Sequence, residues 1–109
     1  MSAREVTFSP FEQGTGERVA HSVDFAAQGA GVVTAPASAT VTAYDVTDGA
    51  LTDVTSTVLP SGTASVAGSV VTAPLLRALT ASHDYRLEFA ATGPDGQIEV
   101  LYLIVKATR

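Results

Sequence analysis

The sequence has no cysteine, a single lysine and no run of basic residues. Without cysteine, disulfides and thiolate metal sites are excluded, so the fold must stand on packing and hydrogen bonds. Six Lys and Arg stand against eleven Asp and Glu, a net charge of -5. Phosphate binding needs clustered cations, so no nucleic-acid partner is expected. No apolar stretch approaches the ~20 residues of a membrane helix, and no membrane partner is expected. Residues 1–16 lack a positively charged start followed by an apolar run, so no signal peptide is expected there.

Charged residues make up 16% of the chain and apolar ones 46%, against about 25% charge in an average domain. More of the surface must therefore be Thr, Ser, Ala and Val. Such a surface tolerates being covered, which favours an assembly subunit over a freely diffusing enzyme. At 109 residues the chain fits one domain, residues 1–109, and should bury roughly 65% of the surface its unfolded form exposes.

The last quarter carries the clearest pattern. Tyr85, Leu87, Phe89 and Ala91 alternate with Asp84, Arg86, Glu88 and Ala90, the period of a strand with one buried face. Gly93-Pro94-Asp95-Gly96 should then reverse the chain. A second strand follows from Gln97 to Lys106, apolar on both sides from Val100 to Val105, which predicts an end covered on both faces. Leu79 lies six residues before Tyr85. That spacing into a strand resembles the tyrosine corner of immunoglobulin-like and fibronectin type III sandwiches. Tyr85 is expected to anchor this corner beside Leu79 through its hydroxyl, with Phe89 in the core.

Upstream, Glu5 to Phe8 is a strand candidate stopped by Ser9-Pro10, and the glycines of Glu12 to Glu17 predict a loop. Arg18 to Phe25 alternates, placing Val19, His21, Val23 and Phe25 on one face. Ala26 to Ala37 reads as a long Ala/Gly connection, Ala39 to Val46 as a central strand, and Asp48-Gly49 as a turn. Leu51 to Leu59 is Thr-rich and is predicted extended, before a turn at Pro60-Ser61-Gly62. Thr63 to Val71 reads as a strand broken at Gly68 by a bulge or tight turn. Thr72 to Leu79 is too short for a lasting helix, and an irregular crossover packing Leu76 or Leu79 beneath the sheets is expected. These add to an all-β antiparallel sandwich of about seven strands, immunoglobulin-like or fibronectin type III-like.

The residues point to no catalytic group. His83 and Asp84 are neighbours, and neighbours in a strand face opposite ways, so Asp84 is not expected to orient His83. His21 reads as a histidine at a sheet margin. Asp45, Asp48 and Asp53 bracket one turn, but their spacing does not match a calcium-binding EF-hand loop, and they read as solvated turn residues. No metal or cofactor is expected. Two apolar pairs fall in connections, Val32-Val33 and Leu75-Leu76, and these four residues are the candidate interface, expected to be partly exposed, the alternative for Val32-Val33 being that they simply cap the core.

The segments F-S-P, G-E-R-V-A-H-S-V-D-F, A-T-V-T-A-Y-D, S-G-T-A-S-V-A-G-S-V-V and Y-R-L-E-F-A-A-T-G-P-D-G-Q resemble small immunoglobulin-like virion proteins of tailed bacteriophages, of the fibre-to-tail adaptor and head-tail connector kind. The resemblance runs from about Phe8 to Val105. The chain departs from it in a longer Ala/Gly connection before Ala39 and in the Leu75-Leu76 segment. It implies a non-enzymatic adaptor, connector or decoration module of a virion, assembled in the bacterial host cytoplasm. Its implied partners are other capsid, neck or tail proteins, in a symmetric multi-copy arrangement. A cell-surface or secreted fibronectin type III-like domain binding carbohydrate or protein is the alternative.

Overall fold

The computed structural model describes residues 4–6, 9–27, 33, 35–60 and 63–108. Thr7, Phe8, Val32, Ser61 and Gly62 lie outside the described residues.

Strands β1 (Arg4–Glu5), β2 (Phe11–Gly14), β3 (Ser22–Asp24), β4 (Ser38–Asp45), β5 (Thr52–Asp53), β6 (Ser65–Ala67), β7 (Val70–Thr72), β8 (Asp84–Thr92) and β9 (Ile98–Thr108) occur with one helical turn, α1 (Thr55–Val58). They form two sheets. β8 and β9 are the expected hairpin, paired Leu87 to Leu103 and Phe89 to Leu101. Gly96 closes the turn at φ +86°, a conformation that a Cβ would resist. Side chains alternate along both strands, so Tyr85, Leu87, Phe89 and Ala91 turn inward with Leu101, Leu103 and Val105. Val100, Tyr102 and Ile104 are half-buried, so β9 is not covered on both faces as its apolar run predicted. Part of the cover on this outer row comes from Arg86, whose guanidinium carbon sits 3.8 Å from the Tyr102 ring centroid.

β4 pairs antiparallel with β8, Val41 opposite Phe89, and β5 pairs with the end of β4. On the other flank β1 and β2 both run parallel to β9, separated by the cis Ser9–Pro10 bond. The larger sheet thus has the order β1-β9-β8-β4-β5, with β2 also on β9. The smaller sheet has the order β3-β7-β6.

Nine strand segments occur among the described residues, against about seven expected, for two reasons. Thr63 to Val71 divides at Gly68, φ +62°, into the hairpin β6-β7, and the stretch read as a loop contains β2. The second strand is shorter than its alternation predicted: only Ser22–Asp24 pairs with β7, while Val19 makes a separate bridge to Leu76. The Thr-rich stretch after Leu51 is not extended throughout, since Thr55–Val58 winds into α1 and buries Val58.

The two sheets close over one apolar core. Val23, Phe25 and Val71 from the smaller sheet and its margin join Leu87, Phe89 and Leu101 from the larger. Leu76 and Leu79 arrive from the irregular crossover. The Tyr85 hydroxyl accepts a hydrogen bond from the Thr80 N–H at 2.8 Å, so the corner forms as the Leu79 to Tyr85 spacing predicted.

Candidate functional site

A polar cluster lies at the end of β4, in a cleft of about 210 Å³ lined by Asp45, Thr47, Asp48, Thr52 and His83. His83 Nδ1 donates to Asp45 Oδ2 at 2.7 Å. The Thr47 hydroxyl donates to Asp45 Oδ1 at 2.6 Å, the Thr47 N–H reaches the same oxygen at 3.0 Å, and the Asp84 N–H donates to the Thr47 hydroxyl at 2.9 Å. Burial pushes the Asp45 carboxyl up, but the bonds from the Thr47 hydroxyl, His83 and the Thr47 N–H outweigh it and hold it below the usual carboxylate range.

A histidine oriented by a carboxylate is two-thirds of a nucleophile-activating set. Here the Thr47 hydroxyl, which would have to deliver its proton to the imidazole, delivers it to Asp45 instead. The cluster ties the β4–β5 turn to the start of β8. Asp84, His83's neighbour, faces Lys106 Nζ at 3.7 Å, so the strand argument against an Asp84–His83 pair holds. Asp45, distant in sequence, takes that place.

The other turn aspartates serve their own loops. Asp48 accepts the Ala50 N–H at 3.1 Å and Asp53 the Thr55 N–H at 2.9 Å, side chain to backbone bonds of the kind that shape turns. Bonds from the Thr55 N–H and hydroxyl hold the Asp53 carboxyl low despite some desolvation. Among the described residues no three His, Asp or Glu side chains come together in a way that could hold a metal ion.

A second polar cluster centres on a buried amide. Gln13, 1% exposed, donates to the carbonyls of Leu76 at 2.7 Å and Glu17 at 3.1 Å. His21 Nε2 lies 2.8 Å from Gln13 Oε1. An amide oxygen only accepts, so His21 carries its proton on Nε2 here. Burial pushes the His21 imidazole down. His21 is therefore part of a clamp joining β2 to the crossover, a role its position in an apolar row did not disclose.

Two of the four candidate interface residues are not partly exposed, which corrects the interface reading and agrees with the core-capping alternative for Val33 and with the crossover packing expected of Leu76. Val33 is 2% exposed and Leu76 fully buried. The Val33 N–H donates to Glu99 Oε1 at 2.9 Å, which draws the connection into the core. The Leu76 backbone exchanges hydrogen bonds with Val19, which turns the Leu76 side chain inward and its neighbour outward. Of the rest, Leu75 is 46% exposed and Val32 lies outside the described residues. Leu79, Tyr85 and Phe89 are buried as expected. Sequence reasoning missed Leu51 and Ile98, whose side chains are also largely in solvent; a large apolar residue beside a turn was the available signal. No protein-family model matches the chain, and no curated protein is significantly similar to it.

Proposed function

We propose that the chain is an immunoglobulin-like, non-enzymatic structural module of a tailed-bacteriophage virion, an adaptor, connector or decoration protein that binds neighbouring virion proteins. The fold part of this reading draws on strand order. The order β3-β7-β6 is compatible with strands B, E and D of an immunoglobulin sandwich, and β9-β8-β4-β5 with G, F, C and C′, which supports that reading. The Tyr85–Thr80 hydrogen bond at the start of the F-like strand matches the corner found in that fold.

One observation carries the functional part: the polar groups best placed for chemistry, in the Asp45 and Gln13 clusters, are engaged in tying turns and strands together, whereas Leu51, Leu75 and Ile98 leave apolar side chains in solvent. A neighbouring protein can cover these side chains, which supports contact over turnover. The resemblance of segments between Phe8 and Val105 supplies the virion as the setting. Mass spectrometry of gradient-purified particles tests the proposal. The chain should be present in fixed ratio to the major capsid protein. Its absence from particles, or its export from the host cell, would overturn the reading.

A further inference from the structure

Part of the β4 edge has no partner among the described residues and lies beside an apolar slot. The Val46 N–H donates to the Asp84 carbonyl, and the Val54 N–H donates to the Ala43 carbonyl. Even-numbered residues of β4 therefore bond β8, and odd-numbered ones point their N–H and C=O away from it. At Ala43 the outward groups are met by the Val54 N–H and the Thr55 hydroxyl, and at Asp45 the strand pairs with β5. Two and four residues earlier, the same groups of Val41 and Ala39 have no partner among the described residues.

Below this edge a slot of about 200 Å³ opens between the sheets, lined by Ala39, Val41, Leu59, Ala64 and Pro74 with threonines at its rim. None of its lining residues is charged. Ala39, Val41 and Ala64 are half-buried, so the described residues cover the core incompletely along this line.

We infer that this edge and slot accept an extended segment of another polypeptide, which adds as a strand to β4 and places small or β-branched apolar side chains into the slot. The occupant follows from complementarity. Alternating N–H and C=O groups two residues apart are met in register by another extended backbone and by no globular face. A strand laid there points every second side chain inward, and an uncharged slot of this volume takes side chains the size of Ala, Val or Thr but not a charge. The inference rests on the proposed function only for who supplies the segment. The edge itself belongs to the isolated chain.

The test is selection of a random ten-residue peptide display library against the full chain. Enriched peptides should alternate Ala, Val or Thr with polar residues. Their binding should fall more than about tenfold with Ala39→Pro, which removes an edge N–H, and with Ala64→Asp, which puts a charge at the slot mouth. Glu12→Ala, exposed on β2 at the opposite flank of the larger sheet, should leave it unchanged. Circular dichroism melts check that each variant folds, and where Ala39→Pro does not, Ala64→Asp alone decides. Failure to enrich any peptide, or enriched peptides that bind Ala64→Asp as well as the parent, would overturn the inference. So would sedimentation showing that the edge is closed by a second copy of the chain. Absence of the chain from particles would sink the virion reading and leave this result standing.

Discussion

His83 Nδ1 and Asp45 Oδ2 lie 2.7 Å apart, joining residues 38 positions apart in the chain. Asp45 accepts two further bonds, from the Thr47 N–H and hydroxyl, whereas the part-exposed His83 ring brings one. Asp45→Ala should therefore destabilise more than His83→Ala: about 1–3 kcal/mol for the former, which strands several donors, and about 1 kcal/mol or less for the latter. Thermal melts of both variants check the order, and the reverse order would remove Asp45 from the centre of the cluster. The Asp45 contribution should be present above its ordinary value of 3.8 and fade as pH falls below it, because its folded value is lowered.

Phe89 is fully buried in the middle of β8, facing Leu101 on β9 in register. Phe89→Ala should cost about 3–5 kcal/mol in denaturant unfolding. A loss under about 1 kcal/mol would place Phe89 on the other face, since a one-residue slip exchanges the two.

Gln13 is buried, and its amide reaches Leu76, Glu17 and His21. Gln13→Leu keeps the volume but removes these three bonds, leaving the Leu76 carbonyl with the Val19 N–H alone, so a loss of about 1–3 kcal/mol is expected. Hydrogen exchange should locate the loosening at β2 and Val19. Uniform loosening across the β8–β9 hairpin would contradict the clamp.

His21 titrates below its ordinary value of 6.5 because it is desolvated. The unfolded chain then takes up the proton first, so this contribution is complete above pH 6.5 and declines as pH falls from there towards the lowered folded value. Urea midpoints followed from about pH 8 to about pH 5 should show the decline. His21→Gln, which keeps a donor towards Gln13, should flatten it. An unchanged slope in that variant would assign the decline to other groups.

Much of the frame was legible because its signals are local. Alternation marked β4, β8 and β9, and Gly68 and Gly96 marked reversals that the backbone confirms with positive φ. What was not legible depends on distant partners. β2 is strand only because the far end of β9 offers it a parallel edge, Phe11 against Val105, and nothing in F-E-Q-G announces that. Val33 looks loop-like among glycines and alanines, yet an acceptor on Glu99 draws it inside. Adjacent leucines 75 and 76 could not both be buried, and only the bridge to Val19 decides which one is.

Because β9 is flanked by β8 on one side and by β1 and β2 on the other, the earliest-made strands have no edge to join until the last one emerges. During synthesis residues 4–14 must wait through the making of everything from β3 to β8. A fragment stopping at Gln97 would expose the β8 edge and strand Phe11 and Gln13 in water together. Any form lacking β9 therefore exposes the β8 edge and the β1–β2 segment at once, and both hazards disappear in the single step that seats β9.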